Sequence, residues 1–451
     1  MPFPPDYLAD LTINFVYLVN KIYVMSNSIL NELHALLKAN VINEETAQKI
    51  KEHYTKNGDQ SQSKLFMIFG ILGAILSGLG IILILAHNWD DLSNSIKSIL
   101  SFLPLVIGQL FCGYTILKKA ETPIWRESSS VFLFFGIGAS ISLIAQVYNI
   151  SGDLNSFLIT WMLLSLPLVY LLRTSIVSLL YIIGITYYCC NSNYFTYPKE
   201  QNYLFWLLFL GMIPHYYQLL TTKSQSNFTL FHNWFVAISL VISLGSIRDG
   251  NEKLLYLSYM CLFAIYYFIG KSSFFKNQKL KFNSYRIIGK LGTLILLSVY
   301  TFKSFWNFFH EKKVHENPII TSPEFIITSI LSIIAAVLFY KKNNTTHFKN
   351  FDLIEIIFLL NIPLLFMGEV AAIVANGIVL AIGLLEIKRG NQLHNLRILN
   401  FGLLIITILI TCRFFDTDFS FIVRGILFIS LGLGFFLTNY VMLKKRNRNE
   451  K

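Results

Sequence analysis

Polar residues that could bind a ligand occur in three clusters, each at the end of an apolar stretch of the chain. Carboxylates beside arginines bind a cation, a polar headgroup or a sugar, and amide side chains orient such a ligand by hydrogen bonds. If the three clusters share one membrane face, they predict a polar pocket on that face. The nine residues are Asn88, Trp89, Asp90, Gln146, Tyr148, Asp153, Arg413, Asp416 and Arg424.

The same residues have a second interpretation, as anchors at helix ends. The aromatic side chains of the first two clusters would then lie in the interfacial belt of the membrane. Asp90 or Asp153 would cap the helix that follows it. Arg413 would extend its guanidinium toward water or pair locally with Asp416. The spacing of the residues does not decide between a pocket and a set of anchors.

The composition indicates that membrane helices hold these clusters. Of the 451 residues, 54% are hydrophobic and 14% are charged, and the mean hydropathy is +0.55. A soluble fold with so few charges would expose large apolar patches and aggregate. We therefore predict an all-α, polytopic transmembrane bundle in contact with the lipid bilayer, and no nucleic-acid partner despite the net charge of +12.

Apolar runs long enough to cross a hydrocarbon core of about 30 Å recur from residue 65 onward. The closely spaced pairs around Arg173 and Gly368 are the weakest assignments, because short segments there could be re-entrant. About fourteen spans are predicted, at 65–86, 96–117, 131–150, 156–172, 174–190, 203–221, 229–247, 253–270, 285–303, 323–340, 352–367, 369–387, 396–413 and 421–442.

The distribution of lysine and arginine predicts the orientation of the bundle. With a cytoplasmic N-terminus, about three times as many basic residues fall on cytoplasmic segments as on external ones. This bias favours cytoplasmic N- and C-termini and an even number of spans. Lys290 is the basic residue inside a predicted span, and Asn376 and Glu386 are polar residues that could hydrogen-bond between helices.

Residues 26–64 differ from the bundle at 65–443. The stretch 26–56 has the pattern of a helical hairpin, with Asn43 as the N-cap of its second helix. Its apolar face would pack along the inner surface of the bundle or dock a cytoplasmic partner protein. Residues 1–25 are predicted to be an N-terminal extension or a mis-assigned start, and 444–451 a basic cytoplasmic tail.

Catalytic and cofactor motifs are missing from the sequence. It contains no G-x-x-x-x-G-K-[ST], no H-E-x-x-H, no G-x-S-x-G and no zinc-type cysteine spacing. His215 and His232 could occupy similar depths on adjacent helices, as haem ligands do, but two histidines alone are weak evidence. We therefore predict no cofactor and no metal, and leave open whether the protein is an enzyme.

Several landmarks resemble the uncharacterised bacterial membrane proteins of the domain-of-unknown-function family 2157. They are the hairpin before G-I-L-G-A at 70–74, A-H-N-W-D at 86–90, and Q-V-Y at 146–148 with Gly152 and Asp153. N-F-G at 400–402, R-F-F-D at 413–416 and R-G at 424–425 resemble the end of longer members. The resemblance implies a bacterial inner-membrane protein and brings no established activity.

Three functions are compatible with these features. The first is a transport-type or ligand-handling bundle with a polar pocket on the extracytoplasmic face. The second is a membrane enzyme acting on lipid-linked sugars or headgroups, because the acidic pair Asp90 and Asp91 after the first span is similar to the layout of polyprenol-dependent glycosyltransferases. The third is a scaffold or sensor that uses the hairpin at 26–56.

Overall fold

In the computed structural model of the protein, all regular structure in the described part is helical. The described residues are 36–39, 41–50, 68–77, 93–195, 203–276, 283–311, 319–345 and 370–416, with isolated positions at 79–83, 357–368 and 422–440. The predicted segments 1–25 and 444–451 lie outside them. Of the predicted hairpin, the described part is helical at 36–38 and 44–50, and the backbone N–H of Thr46 donates to Asn43 Oδ1 at 2.9 Å, as expected for an N-cap.

Twelve helices of nine or more residues follow in the described ranges from 93 to 416. The ten-residue apolar helix Ile68–Ser77 precedes them, and the shorter pieces are a π-helical extension at Asn191–Phe195, 3-10 turns at Gly245–Ile247 and Ile319–Thr321, and one turn at Ser273–Lys276. The twelve are α1 (Asn94–Lys118), α2 (Pro123–Val147), α3 (Leu154–Leu171), α4 (Ser175–Cys190), α5 (Leu204–Thr222), α6 (Asn227–Leu244), α7 (Glu252–Lys271), α8 (Ser284–Tyr300), α9 (Lys303–Glu311), α10 (Pro323–Thr345), α11 (Val370–Gln392) and α12 (Leu396–Asp416).

Ten of the described helices are long and apolar enough to cross a membrane. They coincide with ten of the predicted spans, and α8, with 17 residues, corresponds to an eleventh. The shorter apolar helix Ile68–Ser77 covers part of the predicted span at 65–86, and the predicted spans at 352–367 and 421–442 fall largely outside the described residues. The all-helical membrane bundle is therefore confirmed, whereas the count of fourteen and the orientation of the termini stay predictions.

The chain forms two compact units. The first contains Met1–Ser151 and Leu168–Val177, and the second contains Gly152–Pro167 and Ser178–Lys451. In the first unit, α1 and α2 form a hairpin that depends on small residues. A Cβ atom at Gly136 would lie 2.7 Å from the carbonyl oxygen of Pro104 on α1, and one at Gly108 would lie 2.9 Å from Leu133 on α2. Glycine at both positions lets the helix axes approach closely.

A buried carboxylate organises the other part of the first unit. Glu127 on α2 is 6% exposed and accepts the backbone N–H groups of Ser175 and Ile176, both at 2.9 Å. These donors belong to the first turn of α4, where backbone N–H groups have no intrahelical partner. The cap fixes the start of α4 just after Arg173, which has a positive φ of 50°. Both flanking segments, Leu154–Leu171 and Ser175–Phe195, are long enough to span the membrane.

The second unit is built around α7, the most buried of the candidate spans. Residues 260–268 are buried without interruption, as expected for a helix surrounded by others. Gly289 places the α8 backbone against α7, because a Cβ there would lie 2.6 Å from the backbone nitrogen of Tyr267. A second close pair joins α11 to α12, where a Cβ at Gly402 would lie 2.7 Å from the carbonyl oxygen of Gly383. The α11–α12 hairpin is thus held by backbone-to-backbone packing.

We expect Gly289→Ala to destabilise the protein by about 1–3 kcal/mol, the usual cost of overpacking, because the new methyl group would push α8 away from α7. The measurement is thermal unfolding of the purified protein in detergent. Gly377→Ala is the matched control, since a Cβ at Gly377 meets no atom within 4 Å. Equal melting temperatures for the two variants would contradict the proposed close packing of α7 and α8.

Candidate functional site

The nine residues predicted from the sequence are described to different extents. Asn88, Trp89, Asp90 and Arg424 lie outside the described residues, and only the backbone of Asp416, the last residue of α12, is described. Of the remaining four, Gln146 and Tyr148 belong to the first compact unit and Asp153 and Arg413 to the second. The convergence of the clusters on one pocket therefore stays a prediction.

The second cluster shows local contacts typical of helix ends. Tyr148 is 60% exposed, and its hydroxyl lies 3.3 Å from Ser98 Oγ on α1. Gln146, in the last turn of α2, is exposed. Asp153 precedes α3, and its Oδ1 accepts the backbone N–H of Ser156 at 3.0 Å. The capping role predicted as the alternative for Asp153 is therefore confirmed.

An ion pair joins two apolar helices of the second unit. Lys290 Nζ on α8 lies 2.9 Å from Glu386 Oε1 on α11. The Glu386 side chain is 7% exposed and that of Lys290 33%. The sequence singles out both residues as polar groups inside predicted spans. It does not predict their pairing, because they are 96 residues apart and on helices that are not consecutive.

The α11–α12 hairpin completes the surroundings of this pair. Lys290 Nζ lies 4.3 Å from the centroid of the Phe401 ring on α12, within the range of a cation–π interaction. Phe401 directly precedes Gly402, the residue that brings α12 against α11. The ammonium group therefore contacts a carboxylate on one helix of the hairpin and an aromatic face on the other.

A second polar group links the same three helices at their other end. Asn376 Nδ2 on α11 donates to the carbonyl oxygen of Thr301 at 3.0 Å, just beyond the end of α8. Arg413 Nη2 on α12 lies 3.4 Å from Thr301 Oγ1, and its guanidinium lies 5.3 Å from the centroid of the Phe302 ring. Arg413 therefore contacts the two residues that follow α8, whereas the sequence predicts for it either a place in the polar pocket, or a position toward water or a local pairing with Asp416.

The two histidines considered as haem ligands are neighbours in the second unit, with ring centroids 6.0 Å apart. His232 Nδ1 lies 2.8 Å from the carbonyl oxygen of Phe228, which can only accept, so Nδ1 carries the proton. Nε2 then accepts from the Ser178 hydroxyl at 3.0 Å. Because both ring nitrogens are engaged, His232 joins α4 to α6 and does not offer a lone pair to iron.

The helices and their polar contacts define a polytopic, membrane-embedded protein. Residues 34–178 match the model of a family described as "Predicted membrane protein (DUF2157)". The resemblance inferred from the sequence is confirmed over these residues, whereas its C-terminal landmarks lie outside the match. No curated protein and no solved structure matches the chain. The ion pair between α8 and α11 lies beyond the matched region.

We expect Glu386→Gln to lower the stability by about 1–3 kcal/mol, because Lys290 would lose its carboxylate partner in a low-dielectric site. The partial exposure of Lys290 keeps this below the cost for a completely buried pair. Thermal unfolding in detergent measures it. Glu45→Gln is the matched control: Glu45 pairs with Lys49 at 2.6 Å, but the two side chains are 75% and 73% exposed. Equal losses of stability in Glu386→Gln and Glu45→Gln would contradict a larger contribution of the buried pair than of the exposed pair.

The cap at Asp153 predicts a pH effect. Hydrogen bonds from the Ser156 side chain and backbone lower the pKa of Asp153 from its ordinary value of 3.8. A depressed pKa means that the cap stabilises the folded state above about pH 4 and that this contribution is lost as the pH falls through the lowered pKa. Asp153→Asn keeps an acceptor without the charge. The melting temperature of the wild type should therefore fall more than that of Asp153→Asn when the pH is lowered from 5 to 3.

Proposed function

We propose that the protein is a transport-type membrane protein in which Lys290 and Glu386 form the charge-binding site of its transport cycle. The observation that carries the proposal is their 2.9 Å contact between two apolar helices. In this view Glu386 alternates between pairing with Lys290 and binding a proton. Lys290 is released whenever Glu386 is protonated.

Energetics support a functional origin of the pair. A charged side chain in the centre of a membrane helix costs about 2.5–3.5 kcal/mol on insertion scales. Replacing a buried ion pair with apolar residues of similar volume is often neutral or stabilising. Stability alone therefore gives little reason for two charges at this position. Ionisable residues inside membrane helices commonly belong to ion pathways and proton relays.

The arrangement of α8, α11 and α12 supports a movement of α8 against the α11–α12 hairpin. α11 and α12 are held together by close backbone packing around Gly383 and Gly402. α8 contacts this hairpin through polar groups at two levels, Lys290 at one and Thr301 at the other. These residues are 11 positions apart, which corresponds to about 16 Å along the helix. A tilt of α8 against the hairpin would exchange contacts at one level for contacts at the other.

The predicted polar pocket would take part in the proposed transport cycle through Arg413. With cytoplasmic termini, the Thr301 end of α8 faces the extracytoplasmic side and the Lys290 end lies toward the cytoplasm. Arg413 would then be the member of the pocket that contacts the moving helix. Its positive charge suits an anionic group or a carboxylate of the remaining clusters. Opening of the pocket at Arg413 would accompany closure of the contact between Lys290 and Glu386.

The proposal predicts proton movement that depends on Glu386. The purified protein is reconstituted into liposomes that contain a pH-sensitive dye, and Na⁺, K⁺, Li⁺, Ca²⁺ or phosphate is added outside. At least one of these ions should elicit proton movement in the wild type, and Glu386→Gln should reduce its rate by about tenfold or more, as expected when an essential proton acceptor is removed.

Glu45→Gln serves as the control, because it removes an exposed carboxylate of the same type and should leave the rate unchanged. Protein incorporation is measured for each preparation, so that a folding defect is not read as lost activity. Full activity in Glu386→Gln would contradict the assignment. So would a wild type that behaves as protein-free liposomes do with every ion in the series.

A further inference from the structure

A second buried carboxylate in the second unit, Glu324, lies between the two residues of the ion pair in sequence. Glu324, in the first turn of α10, has no exposed surface. Its Oε1 accepts two backbone N–H groups from the turn before α7, those of Asp249 at 2.5 Å and Asn251 at 3.1 Å. Such a pair of convergent N–H groups neutralises part of the negative charge and fixes the side chain.

The other carboxylate oxygen, Glu324 Oε2, is buried and has no hydrogen-bond partner among the described residues. Arg248, the cation nearest to this turn in sequence, forms an ion pair with Glu252 at 3.2 Å. An unsatisfied oxygen on a buried carboxylate is strongly unfavourable, and native structures rarely leave one without a donor or a cation. A hydrogen-bond donor, a cation or a proton would satisfy this oxygen.

Further oxygen atoms lie one helical turn away. Thr328 Oγ1 is 2.6 Å from the carbonyl oxygen of Glu324 and 2.6 Å from Ser258 Oγ on α7. Both hydroxyl oxygens also lie 3.0 Å from the carbonyl oxygen of Leu254. Four oxygen–oxygen contacts thus share two hydroxyl protons. The interface between α7 and α10 has more lone pairs than donors.

The surroundings indicate a negative potential that reaches the end of the helices. Tyr203, the residue before α5, is partly exposed, and the pKa of its hydroxyl is raised by burial and by the negative charges of Asp249 and Glu324. With the predicted orientation, this end of α10 faces the extracytoplasmic side. A cation arriving from that side would first meet the exposed Asp249 and then the buried Glu324.

We propose that the Glu324 carboxylate and the Ser258–Thr328 hydroxyl pair form a binding site for Na⁺ between α7 and α10. The ligands are hard oxygen atoms, which suit a hard cation and disfavour the transition metals. A single buried carboxylate balances one positive charge, whereas Ca²⁺ usually takes several carboxylates. Within the described part of the chain, no group of three His, Cys, Asp or Glu residues could hold a metal ion.

Bound Na⁺ would tie α10 to α7, because the proposed ligands Glu324 and Thr328 lie on α10 and Ser258 lies on α7. This inference is independent of the proposed function, since it concerns different helices and is tested by binding. Glu386→Gln should leave Na⁺ binding intact. The Glu324 variant is tested for its response to Na⁺ and not for proton movement. The failure of either proposal can therefore be distinguished from the failure of the other.

The experiment is thermal unfolding of the full chain in detergent with increasing NaCl, with choline chloride keeping the ionic strength constant. Na⁺ should raise the melting temperature of the wild type in a saturable manner. Glu324→Gln, which keeps an acceptor for the two N–H groups, should abolish this response. Thr328→Val, which keeps the shape of the side chain, should weaken the apparent affinity by about tenfold, the typical effect of losing one ligand.

Direct binding of radioactive Na⁺ to the wild type and to Thr328→Val provides a second readout that does not require Glu324→Gln to fold. Weaker binding by Thr328→Val would support the site. Equal responses to NaCl and choline chloride, or unchanged Na⁺ affinity in Glu324→Gln, would overturn it. A melting temperature that responds to pH but not to Na⁺ would also overturn it, because Glu324 would then hold a proton.

Discussion

The contact between Lys290 and Glu386 determines how α8 meets the α11–α12 hairpin. Each charge would be unfavourable in an apolar environment without the other, so the ion pair favours the register in which the two residues meet. The glycines at 289, 383 and 402 allow the close approaches that surround this contact. The aromatic face of Phe401 covers the ammonium group from the third helix. Packing and electrostatics therefore converge at one position in the second unit.

Three buried glutamates show how the fold accommodates negative charge. Glu127 caps the first turn of α4, Glu324 accepts two N–H groups of a turn, and Glu386 pairs with a lysine. In the first two cases backbone N–H groups supply the donors, and the carboxylate fixes the start of a helix or a turn. Glu386 differs in that it pairs with the side-chain ammonium group of Lys290 at 2.9 Å. This difference is why the proposed charge exchange is assigned to it.

The sequence predicts the helices far better than it predicts their contacts. Long apolar runs locate ten spans, and the asparagine and aspartate caps at 43 and 153 follow from local spacing alone. The pairing of Lys290 with Glu386 and the roles of Glu127 and Glu324 do not follow, because each joins residues 48 to 96 positions apart. Hydropathy shows that a residue is inside a span, but not which neighbour it meets.

The most direct test of this account compares stability and activity in one preparation of the double variant Lys290→Met/Glu386→Leu. Removing both charges leaves no unpaired ion, so we predict a melting temperature at least equal to that of the wild type. Proton movement in liposomes should be lost in the same sample. A double variant that retains wild-type proton movement would contradict the claim that the ion pair serves the transport cycle.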